Sequence, residues 1–144
     1  MGRLSEASAM GIEDFLAAVI RWAKTDANII GLALVGSHAS GNARPDSDVD
    51  LVLISEMPDA LLDATGWVSL FGTPLRSALE DYGALQSLRV FYQEGLEVEF
   101  GFCLPQWTNV PLDTGTQEVI RQGMRILYDP DQRFSVAFDA AFRL

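Results

Sequence analysis

The stretch Leu34-Val35-Gly36-Ser37-His38-Ala39-Ser40-Gly41-Asn42-Ala43-Arg44-Pro45-Asp46-Ser47-Asp48-Val49-Asp50-Leu51-Val52-Leu53-Ile54 decides the fold. It reads as an apolar strand, a Gly-Ser turn, a polar loop and a second strand that opens on two aspartates. Side chains alternate faces along a strand, so Asp48 and Asp50 point the same way and Val49, Leu51 and Leu53 point the other. Val52 and Ile54 continue the aspartate face, which predicts burial on both sides beyond the first turn. Two carboxylates at the mouth of a buried strand repel one another and cost desolvation energy. A cation between them removes both penalties.

Working outward, Ile12, Phe15, Leu16, Val19, Ile20 and Ala23 recur at helical spacing and predict an amphipathic helix over residues 12–24 that packs on the sheet. Residues 29–35 form the first strand. Ser37 to Ser40 can make a short helical turn that ends at Gly41. The start of such a turn offers free backbone N–H groups, Gly36 permits close approach, and Ser37 adds a hydroxyl. Ala60 to Trp67 reads as a helix. Residues 74–86 are ambiguous, with Leu75, Leu79 and Tyr82 available as one helical face. Ser87 to Gln93 and Leu96 to Cys103 read as a hairpin turning at Glu94-Gly95. A two-residue turn sets Tyr92 opposite Glu97 and Val90 opposite Glu99. Residues 116–122 predict a short helix, 125–128 a strand, and the chain after Asp129-Pro130-Asp131 a last helix carrying Phe134, Ala137, Phe138 and Ala141.

At 144 residues the chain has the length of one domain, read as 1–144, and 49% of it is hydrophobic, enough for a core. The 20 acidic and 10 basic residues give a formal charge of -10, which argues against a non-specific grip on nucleic acid. Cys103 is the single cysteine, so no intrachain disulfide is expected. Met1 to Ala7 lacks the apolar core of a signal peptide, and no apolar run reaches the roughly 18 residues of a membrane span. A cytoplasmic protein with no membrane association is the expectation.

The quoted stretch resembles the nucleotidyltransferase superfamily that includes DNA polymerase beta and the small antibiotic-modifying nucleotidyltransferases. The resemblance lies in the apolar strand, Gly36-Ser37, the intervening loop and Asp48-Val49-Asp50. It implies an α/β (α+β) fold with a mixed sheet, expected here to have four to five strands and helices mainly on one face. It also implies a third carboxylate on a later strand, within Leu96-Glu97-Val98-Glu99-Phe100. Glu99 is preferred because it lies deeper in the hairpin than Glu97, which is the alternative.

By the same resemblance, Asp48, Asp50 and Glu99 are catalytic and bind two Mg2+ ions, while Gly36 and Ser37 hold the phosphates of a nucleoside triphosphate. Relatives often carry an arginine shortly after Gly-Ser. Here His38-Ala39-Ser40 follows, with Arg44 further on, so the roles of His38 and Arg44 stay open. The implied activity is magnesium-dependent transfer of a nucleoside monophosphate, with ATP as one candidate donor, to a hydroxyl on a small molecule or a partner protein. The site is expected to be completed by a protein partner or a homodimer. A non-catalytic nucleotide-binding or interaction module on the same fold is the competing reading.

Overall fold

A computed structural model describes residues 11–143. The reading that Met1 to Ala7 lacks the apolar core of a signal peptide falls outside the described residues. Helix α1 (Ile12–Thr25) leads into β1 (Gly31–Val35), the short helix α2 (Ser37–Ser40) and β2 (Val49–Ile54). Helix α3 (Pro58–Asp63) and a 3-10 turn (Gly66–Leu70) precede β3 (Pro74–Asp81), β4 (Gln86–Tyr92) and β5 (Glu97–Cys103). A second 3-10 turn (Pro105–Thr108), α4 (Thr114–Gln122), β6 (Met124–Tyr128) and α5 (Arg133–Phe142) complete the order.

The strands make one mixed sheet in the order β3-β4-β5-β2-β1-β6. Among the described residues only β2 and β5 run parallel; every other neighbouring pair is antiparallel. Among the described residues the sheet has six strands and not the expected four to five, because residues 74–81 form β3. The spacing of Leu75 and Leu79 misleads here. A step of four suits a helix face, but it is also an even number and suits one side of a strand. As the outermost strand, β3 leaves both leucines exposed.

The helices cover both faces, which corrects the expectation that they lie mainly on one. On one face Phe15, Leu16 and Val19 of α1 pack with Leu32, Leu34, Val49, Leu51, Leu53, Phe100 and Phe102. On the other, Ile120 of α4 and Phe134, Ala137 and Ala141 of α5 pack with Ala33, Val35, Val52 and Ile54. The division follows the strand alternation of β2 residue by residue. A sheet whose central strands are apolar on both sides needs a covering layer on each.

Trp107 belongs to the second core, edge-on to Phe134 with ring centroids 6.5 Å apart, so it packs and does not present a platform for a base. Cys103 is buried in the same layer. Helix α5 is fixed at its start by the Asp129 carboxylate, which accepts from the Phe134 and Ser135 N–H groups at 2.9 Å and from the Ser135 hydroxyl at 2.7 Å. No helix among the described residues is long and apolar enough to cross a membrane.

Candidate active site

Three strand registers build the site. In the antiparallel β1–β2 pair, Val35 lies opposite Asp50, so the turn that follows Val35 comes directly over the Asp50 carboxylate. In the parallel β2–β5 pair, Asp50 lies beside Glu99. Neighbouring residues in adjacent strands share a face, so both side chains emerge together. Asp48, one residue before β2, joins them from the same side. One carboxylate oxygen from each of Asp48, Asp50 and Glu99 lies within 4.8 Å of the others.

Gly36 has φ 76°, and a Cβ there would sit 2.8 Å from Asp50 Oδ2. That contact is closer than carbon and oxygen tolerate, so the turn lies against the carboxylate because Gly36 has no side chain. Its carbonyl accepts from the N–H groups of Ala39 and Ser40 at 3.0 and 3.1 Å, which closes the short helical turn of α2. Gly36→Ala combines a left-handed backbone penalty with this overlap, and is expected to cost roughly 2 kcal/mol of stability. Urea unfolding of the variant beside the parent checks this; an unchanged midpoint would contradict the contact.

The electrostatics are those of a crowded anionic site. Burial, followed by the adjoining Glu99 carboxyl and the charge of Asp48, pushes the Asp50 carboxyl up to about 8, with Arg89 pulling the other way. Asp50 Oδ1 and Glu99 Oε1 are buried and have no hydrogen-bond partner among the described residues. Buried carboxylate oxygens are normally satisfied, so these two are open to a proton or a cation. Three carboxylates of this geometry are hard oxygen donors and suit a divalent cation such as magnesium. This is the one such cluster found among the described residues.

Arg89 is the group that sequence reasoning missed. The hairpin between β4 and β5 pairs Phe91 with Glu97 and Arg89 with Glu99. This corrects the expected pairing of Tyr92 with Glu97 and Val90 with Glu99. Tyr92 N–H instead donates to the Leu96 carbonyl, giving a three-residue loop, Gln93-Glu94-Gly95, with Gly95 at φ 106°. A glycine in positive φ as third loop residue is the signature of that longer hairpin, and it was the available clue. One residue of slip exchanges every side chain between faces. It removes Val90 to the core and brings Arg89 to the acids.

The Arg89 guanidinium reaches Asp48 at 2.9 Å, Glu97 at 2.6 Å, Glu80 at 3.1 Å and Glu99 at 3.3 Å. Burial works against its charge, but hydrogen bonds to Asp48, Glu97 and Glu80 hold it firmly protonated. Glu97, the alternative third acid, thus lies on the outer side of the cluster, bound to Arg89. Glu80 comes from β3, where the sequence had no assigned strand.

Other candidates fall into place around this centre. Ser37 opens α2 beside Gly36 and is partly exposed. A ring nitrogen of His38 lies 3.3 Å from the Ser47 carbonyl and ties the turn to the loop ahead of Asp48. Arg44 is exposed; its own N–H donates to the Ser47 hydroxyl at 2.8 Å, which shapes the same loop. Burial pushes the Cys103 thiol up to about 12, so it is no nucleophile at neutral pH. Beside Asp50 and Glu99 runs an open cleft of about 190 Å³. It is lined by Gly101, by Tyr82 and Leu85 from the β3–β4 connection, and by Val119 and Gln122 from α4.

Residues 17–126 fit the family model described as a nucleotidyltransferase domain. The chain belongs to the nucleotidyltransferase domain family. Among solved structures, an aminoglycoside 6-adenyltransferase from Bacillus subtilis superposes with a TM-score of 0.53 at 12% identity, covering 66% of this chain and 35% of that one. The Cid1 poly(U) polymerase gives a TM-score of 0.44 at 15% identity, covering 64% of this chain and 31% of the other. No curated protein matches in sequence. The mixed sheet and its helices are those of the nucleotidyltransferase fold. The chain thus spans about a third of the length of the structures it resembles.

Proposed function

We propose that the chain transfers a nucleoside monophosphate from a nucleoside triphosphate to an acceptor hydroxyl, with Asp48, Asp50 and Glu99 as its catalytic acids. The observation that carries the reading is the convergence of these three carboxylates beside the Gly36 turn, with two of their buried oxygens unpartnered. Asp48, Asp50 and Glu99 would hold divalent magnesium, which when bound supplies positive charge to the triphosphate and acidity to the acceptor hydroxyl. Gly36 and Ser37 hold the terminal phosphates through backbone N–H groups and the Ser37 hydroxyl. The cleft along Gly101, Tyr82 and Leu85 takes the neighbouring organic part of a substrate.

The acceptor oxygen attacks the α-phosphorus, the bond to the bridging oxygen breaks, and pyrophosphate leaves with that electron pair. Glu99 accepts the hydroxyl proton. Alignment and charge placement carry most of the acceleration in such displacements. The acceptor hydroxyl belongs to a small molecule or to a partner protein. A partner or a second copy would cover the open face of β3 and β4, where Arg76 lies over the Phe91 ring at 3.8 Å.

The test is incubation of the protein with each nucleoside triphosphate and magnesium, together with a lysate or defined hydroxyl compounds, followed by mass spectrometry. A gain of one nucleoside monophosphate on an acceptor, with pyrophosphate released, is expected. Magnesium-dependent nucleotide binding with no transfer to any acceptor would favour a binding module instead.

A further inference from the structure

Arg89 stands between two pairs of acids that differ in their surroundings. The inner pair, Asp48 and Glu99, belongs to the three-carboxylate cluster; the outer pair, Glu80 and Glu97, does not. One terminal nitrogen, Nη1, is shared across the divide, at 2.9 Å from Asp48 Oδ2 and 2.6 Å from Glu97 Oε2. Nε bonds Glu80 at 3.1 Å, and Nη2 lies 3.3 Å from Glu99 Oε2. Glu80 is itself braced by the Tyr82 hydroxyl, which donates to it at 2.9 Å.

A guanidinium has five N–H donors in a rigid fork and cannot be neutralised by losing its proton. A cation on the inner carboxylates repels the guanidinium and competes with it for the charge of Asp48 and Glu99. The guanidinium needs other acceptors at once or must go to water. Glu80 and Glu97 already hold Nε and Nη1, so those acceptors are in place without a large movement.

We propose that Arg89 is a positioning residue that sets the magnesium affinity of this site, by neutralising Asp48 and Glu99 until a divalent cation takes them and then resting on Glu80 and Glu97. The inference depends on the metal-binding reading of the three carboxylates. Apparent affinity falls by the fraction of molecules in which Arg89 holds the inner pair. Removing Arg89 abolishes that competition. Removing the outer pair leaves Arg89 with nowhere else to go, so the inner contact strengthens.

The experiment is calorimetric titration of Mg2+ into four proteins: the parent, Arg89→Met, the pair Glu80→Gln with Glu97→Gln, and the combination of all three. We expect Arg89→Met to tighten magnesium binding by about tenfold and the outer pair to weaken it by about threefold. Deleting two negative charges would weaken binding slightly through space alone, so the fourth protein decides. If the outer acids act through Arg89, their effect shrinks to that slight through-space weakening once Arg89 is methionine. An equal weakening in both backgrounds, or weaker binding by Arg89→Met alone, overturns the proposal while leaving the metal site intact. Loss of magnesium binding in all four would remove the metal reading itself. Circular dichroism of each protein establishes that it is folded, and Arg89→Gln carries the same comparison if the methionine variant is not.

Discussion

Asp50→Asn should cut nucleotidyl transfer by roughly 10³-fold or more while making the magnesium-free protein more stable in alkali. The two effects have one cause. Asp50 lies in the tightest part of the acid cluster, between the Gly36 turn and Glu99, and burial leads the causes that push its carboxyl from 3.8 to about 8. A carboxyl held above its unfolded value binds its proton more tightly in the native state. Its contribution to stability is therefore fully present below about pH 4 and is lost as pH rises through about 8. Asparagine keeps the shape and carries no charge to lose. Melting curves across pH 6 to pH 9 should show the parent falling and the variant holding, with a gap of roughly 5 °C at the alkaline end. Millimolar magnesium should raise the parent's curve and leave the variant's almost unmoved, since the cation's charge replaces the missing proton only where a carboxylate remains. Pyrophosphate release and thermal unfolding, measured on the same preparations, check both halves. A variant with full transfer activity would dismiss Asp50 from catalysis, and one that melts like the parent at every pH would show that the acid is not under strain.

Much of this arrangement can be read from one strand. Val49, Leu51 and Leu53 fall in one core layer, Val52 and Ile54 in the other, and Asp48 and Asp50 emerge on the second side, as strict alternation demands. The Gly-Ser turn and the short helix closing near Gly41 are equally local, since backbone hydrogen bonds within five residues make them. The adjacency of Glu99 to Asp50 is different. It depends on a parallel register between strands separated by more than forty residues, and only the resemblance of the motif to a known family pointed there.

Arg89 illustrates the limit more sharply. Its place among four carboxylates turns on whether the β4–β5 loop has two residues or three, and the apolar alternation of Leu88, Val90 and Tyr92 against Val98 and Phe100 selects three. With Val90 and Val98 paired in the core, the longer loop buries two β-branched side chains against each other. That pairing is fixed across the two strands and not at the turn. The edge strand β3 was hidden for a related reason. Lying outermost, it buries little, so its sequence carries no strong alternation, yet it supplies Glu80.

The second large effect belongs to the core directly behind the acids. Phe100→Ala should destabilise the protein by about 3–5 kcal/mol. Phe100 follows Glu99 on β5 and points the opposite way, fully buried. Its ring meets Trp67 edge-on at 4.8 Å, Phe71 at 6.0 Å and Phe15 at 6.4 Å, so it joins α1, the first 3-10 turn and the sheet. Removing it leaves a cavity walled by three other aromatic rings, which are too large and too constrained to collapse inward. A loss of this size is a large share of the stability of an ordinary domain, about 5–15 kcal/mol, so a measurable unfolded fraction is expected on warming. Urea unfolding gives the magnitude. The further expectation concerns Glu99: its backbone stays in register with Asp50 through the β2–β5 ladder, so transfer per folded molecule should change much less than stability does. Activity normalised to the folded fraction separates the two. If normalised activity falls as steeply as it does for Asp50→Asn, the aromatic layer sets the position of Glu99 directly, and the ladder alone does not hold the site in shape.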